Sequence, residues 1–201
     1  MPKRVDHQQR RRQIIEALWR ITLRGGLNAA SFREVAADAG VSVRLVQYYF
    51  GTKDQLLLAA LGALAEQTGE RITARISALG PDPSPRSVVQ AVLGEFLPDD
   101  PRRRQAMLLF IAFQTASLTD PSLARAEALR VPRSLIDVLA GQLRAARQAG
   151  AITREIDPGK EATILVSVVS GLAVGVLAGH HTAGEAGAII GYALDQLFRS
   201  G

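Results

Sequence analysis

The chain contains no cysteine in 201 residues. That excludes disulfide frameworks, thiolate metal sites and cysteine-nucleophile chemistry, and it fits a reducing cytoplasmic location. No secretory signal is expected: the apolar residues Ile14, Ile15, Ala17 and Leu18 are interrupted by Glu16 and are too few for a hydrophobic signal core. Only residues 162–179 form a long uncharged run, and it carries Thr163, Ser167, Ser170 and glycines at 171, 175 and 179. Flanked by polar helices, it reads as a buried helix, so no membrane partner is expected. No segment shows the sustained alternation of a strand. His180, His181 and Glu185 have no second ligand cluster, nucleophile motif or phosphate-cradling glycine loop to join them. Neither a metal, a cofactor nor an enzymatic activity is therefore expected.

What the chain does have is apolar content and misplaced charge. Hydrophobic residues make up 47% and charged residues 21%, which supports a folded core. The net charge is +5. Residues 1–60 hold ten Lys or Arg against five Asp or Glu, so the whole excess lies there, and the remaining 141 residues are neutral. Such asymmetry points to an anionic partner for the first segment, nucleic acid or a membrane surface.

Apolar residues recur at three- and four-residue spacing almost throughout, so the fold class is all-α. A first helix is predicted from about Asp6 to Arg24, ended by Gly25-Gly26. Ser31 and Glu34 form an S-x-x-E capping box for a second, Ser42 caps a third, and Thr52 with Gln55 opens a long fourth from Lys53 to about Leu79. Breakers at residues 80–85 and 98–101 bracket a fifth, from about Ser87 to Leu97. A sixth runs from Arg102 to near Asp120-Pro121, where an aspartate cap followed by proline opens a further element. Helices opened by Pro132 and by Asp157-Pro158 follow, and the last spans about Gly184 to Arg199. The division expected is a small basic unit, residues 1–52, followed by a neutral helical body, residues 53–201.

Residues 31–53, SFREVAADAGVSVRLVQYYFGTK, have the pattern of a helix-turn-helix. Gly40 sits in the turn, Ala36 is small where the two helices approach, and Val35, Val41 and Val46 face inward, extended by Leu45 and Phe50. Opposite them Val43, Arg44, Gln47 and Tyr48 are free to meet a major groove. Arg44 suits guanine O6/N7 and Gln47 suits adenine N6/N7, and Tyr48 could serve bases or phosphate. Lys3, Arg4, Arg10, Arg11 and Arg12 precede the motif, either as a solvated arm or as a sequence-independent attraction to phosphate.

The stretch SFREVAADAGVSVRLVQYYFGTKDQLL closely resembles the DNA-binding domain of TetR-type (tetracycline-repressor-like) bacterial transcription regulators, specifically over about Gln13 to Leu58. The resemblance implies an all-α homodimer, with an N-terminal three-helix DNA-binding domain and a C-terminal helical domain that binds a small ligand and dimerises through its last two helices. It also makes Tyr49 and Lys53 phosphate contacts, and Ser31 and Ser42 could add hydrogen bonds to phosphate at helix N-termini. Leu45 and Gln47 stand where the family often has Thr and an earlier Tyr, so base preference is not inherited from any relative.

In the body, Ser167, Gly171, Gly175 and Gly179 recur every four residues, and Gly187 and Gly191 give the last helix a similar narrow side. Such seams allow close helix packing, within one chain or between two copies; in the family context they are candidates for the dimer interface. Met107, Phe110, Ile111 and Phe113, with Gln114 among them, are candidates for lining the ligand cavity that the resemblance implies. Few charges surround them, so the expected effector is largely apolar. The expected function is a ligand-responsive repressor bound as a homodimer to a (pseudo)palindromic double-stranded operator. The alternative is a DNA-binding regulator without a small-molecule inducer, controlled by a protein partner.

Overall fold

The computed structural model describes residues 2–124 and 131–198. Among these residues there is no strand. The helices are α1 (Pro2–Gly25), α2 (Phe32–Ala39), α3 (Val43–Phe50), α4 (Lys53–Ser77), α5 (Pro85–Glu95), α6 (Pro101–Ser117), α7 (Pro121–Ala124), α8 (Val131–Gln148), α9 (Pro158–Leu177) and α10 (Ala183–Leu197). Arg199, the expected end of the last helix, lies outside the described residues. The start of α1 at Pro2 puts the basic segment in a helix rather than a loose arm.

Helix starts follow one chemical device. A side-chain oxygen accepts the first free backbone N–H groups, and proline occupies the first helical position, where its missing donor costs nothing. Ser84 does this before Pro85, and Asp157 before Pro158. Asp100 accepts from the backbone N–H groups of Arg102 and Arg103 at 2.8 and 2.9 Å, just before Pro101. The last helix uses a complete capping box instead. Thr182 accepts from the Glu185 N–H, and the Glu185 carboxylate accepts from the Thr182 N–H at 2.7 Å. That backbone bond is the main reason the Glu185 carboxyl stays below its ordinary range. Glu185 is thus occupied in capping.

The chain divides into two compact units that do not follow the boundary drawn after residue 52. The first comprises Met1–Glu66 and Leu108–Leu129, and the second Gln67–Met107 and Arg130–Gly201. In the first, α1 is buried on two stripes. Ile14, Ala17, Leu18 and Ile21 form one, and Ile15, Trp19 and Thr22 the other, all at 6% exposure or less. A 3₁₀ turn at Leu27–Ala29, which apolar periodicity does not reveal, tucks Leu27 into the core after the chain turns at Gly26.

The core of the second unit joins Val89, Val92 and Leu93 of α5, Leu139 and Leu143 of α8, Leu165 and Val169 of α9, and Ile190 and Leu194 of α10. Helix α9 is long and apolar enough to cross a membrane by length and composition, and a third of its most apolar window is buried in the protein. The expectation of a buried helix is therefore met on one side only. Ile164 and Val174 on its other side are 55% and 52% exposed.

Among the described residues of the second unit, Glu95 is the buried charge. It is 5% exposed and accepts from Arg71 Nε at 2.6 Å, with Arg75 3.9 Å away. Removing Arg71 takes away the direct hydrogen bond of the buried carboxylate and leaves it only the longer Arg75 contact. Arg71→Met is expected to destabilise by about 3 kcal/mol in urea unfolding, and Arg71→Met/Glu95→Met to recover most of the loss.

Candidate nucleic-acid interface

Helices α2 and α3 are each eight residues long, and their ends are built from local chemistry. The side chain of Ser31 accepts from Glu34 N–H at 3.1 Å, and that of Ser42 from Leu45 N–H at 3.2 Å. Only the serine half of the expected Ser31 capping box forms, because the Ser31 N–H bonds the Ala29 carbonyl. At the turn, Gly40 adopts φ 64°, and the N–H groups of Gly40 and Val41 bond the carbonyls of Ala37 and Ala36. This αL termination lets α3 leave at once in a new direction, at a φ that costs other residues about 1–2 kcal/mol. Gly51 ends α3 at φ 66°, and a Cβ there would strike the Gln55 side-chain oxygen. Thr52 and Gln55 then form the reciprocal box that opens α4, each at 3.2 Å.

The inner face is sealed. Val35, Ala36 and Ala39 of α2 and Val46 and Phe50 of α3 are all at or below 4% exposure. The outer face of α3 is open: Val43, Arg44, Gln47 and Tyr48 are exposed, Tyr48 at 71%. Lys53 is exposed at the first position of α4, where the helix dipole also favours an anion. Tyr49 is half-buried in a ring cluster, meeting the Tyr48 ring at 5.5 Å and 83°. Ser31 and Ser42 are exposed at their helix starts, their oxygens already serving as caps.

Helix α1 supplies contacts that the motif does not reveal. Gln13 Nε2 donates to the Ala39 carbonyl at 2.7 Å, and Arg11 donates to the Tyr49 carbonyl at 3.3 Å while lying 4.6 Å over the Phe50 ring. These are C-terminal carbonyls of α2 and α3, the groups that a helix cannot satisfy internally. Arg20 and Arg24 both bond Asp38 of α2, at 2.8 and 2.6 Å. The signal in sequence is only a basic face on α1 opposite one acid.

A model of the bacterial regulatory proteins of the tetR family matches residues 14–60, and a model of the BetI-type transcriptional repressor C-terminal region matches residues 85–199. The chain belongs to the TetR family. It is a transcriptional regulator and not an enzyme. It is 36% identical over 113 residues to the regulator PksA of Bacillus subtilis, spanning 56% of this chain and about half, 54%, of that one. To the regulator BetI of Serratia proteamaculans it is 32% identical over 151 residues, 75% of this chain and 76% of that one. A Saccharomonospora viridis structure described as a transcriptional regulator in complex with choline shares the fold, with TM-score 0.77 and 22% identity over 94% of this chain and 96% of that one.

The other residues expected in the TetR sites are scattered. On α6, Phe113 is fully buried, Met107, Phe110 and Ile111 are half-buried and Gln114 is exposed. An open cleft of about 780 Å³ within the first unit uses a different register of that helix, Ala112, Thr115 and Thr119, with Asn28, Lys53 and Asp54. Ser167 and Gly171 lie exposed on α9 in register with Ile164 and Val174. Gly175 is buried, and a Cβ there would come within 2.8 Å of the His181 ring. Gly179 lies beyond the helix at φ 78°, with His180 N–H bonding the Gly175 carbonyl. Gly187 is half-buried, its missing Cβ 4.0 Å from Leu97, and Gly191 is half-buried too.

The hydrogen bond from Arg24 leads in holding the Asp38 carboxyl below the ordinary range; burial opposes it, and the hydrogen bond and charge of Arg20 add to the lowering. A depressed folded-state value means that the stabilisation is complete above the unfolded value, about 4, and is lost as pH falls through the folded one. Asp38→Asn should therefore unfold more easily at pH 7, and the gap from the parent in urea midpoint should shrink toward pH 2.

Proposed function

We propose that this TetR-family protein is a cytoplasmic, homodimeric repressor that binds a (pseudo)palindromic operator through α3 and releases it when a small effector binds. The open outer face of α3, bearing Arg44, Gln47 and Tyr48 on a sealed inner face, carries this reading. In it, Arg44 and Gln47 read base edges, and Tyr49 and Lys53 hold phosphate, with Ser31, Ser42 and Val43 at the margin. The net +5 of residues 1–60 supports it by supplying the attraction to DNA.

Two recognition helices must sit about 34–36 Å apart to read one face of a duplex, which calls for two copies. Exposed Ile164, Ser167, Gly171 and Val174 of α9 with Ile189 and Tyr192 of α10 are the apolar surface best suited to a second copy. Gly175, Gly179 and Gly187 have packing or turn roles within one chain and contribute less, whereas a Cβ at Gly191 would meet nothing, which leaves that position open to a second copy. The choline bound to the S. viridis protein supports a small-molecule effector here, and Met107, Phe110, Ile111, Phe113 and Gln114 are the residues we propose for its contact. Such a ligand acts by preferring the conformation whose recognition helices are wrongly spaced.

The test is DNA binding by the purified protein over a salt series, with operator candidates and with random DNA. Arg44→Ala is expected to relax base preference, losing about 1–3 kcal/mol at one base pair. Lys53→Ala should weaken all sequences alike and lower the salt slope by about one. Identical effects from both would contradict the division of roles, and binding no tighter to any palindrome than to random DNA would sink the proposal.

A further inference from the structure

We propose that His7 of α1 is a positioning residue for base recognition: its ring, set against Tyr48 and Tyr49, fixes the exposed Tyr48 side chain for the DNA groove. This rests on α3 being the helix that reads DNA, and it adds Tyr48 to Arg44 and Gln47 as a reader of base edges. His7 meets Tyr49 edge-on, with ring centroids 4.8 Å apart at 63°, and lies 6.0 Å from the Tyr48 ring at 55°. Tyr48 and Tyr49 are themselves edge-to-face at 5.5 Å. Three rings therefore support one another, and these are the tilted and T-shaped arrangements that aromatic quadrupoles favour.

Arg11 sets the register of this contact. It stands one helical turn after His7 on the same face of α1, bonded to the Tyr49 carbonyl and stacked over Phe50. With Arg11 anchored on the last turn of α3, the preceding turn of α1 carries His7 past Tyr49 to Tyr48. An exposed tyrosine would otherwise sample several χ1 wells, and only one can present its hydroxyl to a given base edge. Two rings packed along one side of Tyr48 bias it among those wells before DNA arrives, so that less side-chain freedom is lost on binding. Position 7 of α1 thus belongs to the reading surface through packing, which needs a ring there and not a charge.

The experiment compares His7→Ala, His7→Phe, Tyr48→Ala and the double variant His7→Ala/Tyr48→Ala in the full chain. Thermal unfolding checks that each is folded, and binding is measured on the operator, on single-base variants of it and on random DNA across salt. His7→Ala is expected to lose about three- to tenfold in discrimination at the base pair read by Tyr48. Its affinity for random DNA and its salt slope should stay unchanged. His7→Phe should keep the discrimination, and His7→Ala should add nothing once Tyr48 is alanine. Equal, sequence-independent losses in His7→Ala and His7→Phe with a lower salt slope would make His7 a direct phosphate contact and overturn the proposal. So would unchanged discrimination in His7→Ala. If the parent shows no preference among sequences while Arg44→Ala is also silent, the reading of α3 fails and this proposal with it, a result distinct from either of the others.

Discussion

The recognition unit depends on the fact that α2 and α3 are too short to exist alone. Eight residues make about two turns, below the length at which an isolated helix holds in water. Their serine caps and glycine stops define where each begins and ends, but the stability must come from burial against neighbouring helices, α1 against α2 and α2 against α3. Helix α1 packs on α2, α2 packs on α3, and α1 then ties down both C-termini through Gln13 and Arg11. Asp38, held by Arg20 and Arg24, closes the third corner. Helix α1 thus orients α2 directly and α3 through α2 and Arg11, and the outward face of α3 is left exposed.

This arrangement changes the meaning of the basic charge. Ten cations in the first 60 residues look like one field aimed at phosphate, yet Arg11, Arg20 and Arg24 have internal partners. Arg44 and Lys53, by contrast, stand exposed on the outer side of the motif and at the α4 start. The same residue type therefore works as scaffold on α1 and as the candidate reader on α3. A salt dependence smaller than the cation count suggests follows from that division. In the second unit the ion pairs serve the body: Glu95 with Arg71, Arg86 with Asp195, and Arg103 with Asp99 and Asp100.

Helix order, the turn at Gly40 and most helix starts were legible in sequence because each is written in residues close together in the chain. Ser42, Thr52 with Gln55, and Asp157-Pro158 act within four residues of where they stand. Long-range partners left no such trace. His7 against Tyr49, Gln13 to Ala39 and Arg20 to Asp38 join residues that only the packing of α1 brings together. The four-residue spacing of small residues in α9 is a second instance. It suggests one continuous seam, but it merges an exposed surface at Ser167 and Gly171, a berth for the His181 ring at Gly175 and a helix terminator at Gly179. Periodicity sees the size of a side chain and not what fills the space beside it.

The claim that α1 holds the reading surface together is tested most directly by native-state amide exchange, comparing the parent with Gln13→Ala. If α2 and α3 depend on α1, their slowest amides in the parent exchange with the same opening free energy as those of α1, and Gln13→Ala lowers all three together. Amides of α3 that open separately from α1, with protection untouched by Gln13→Ala, would contradict it.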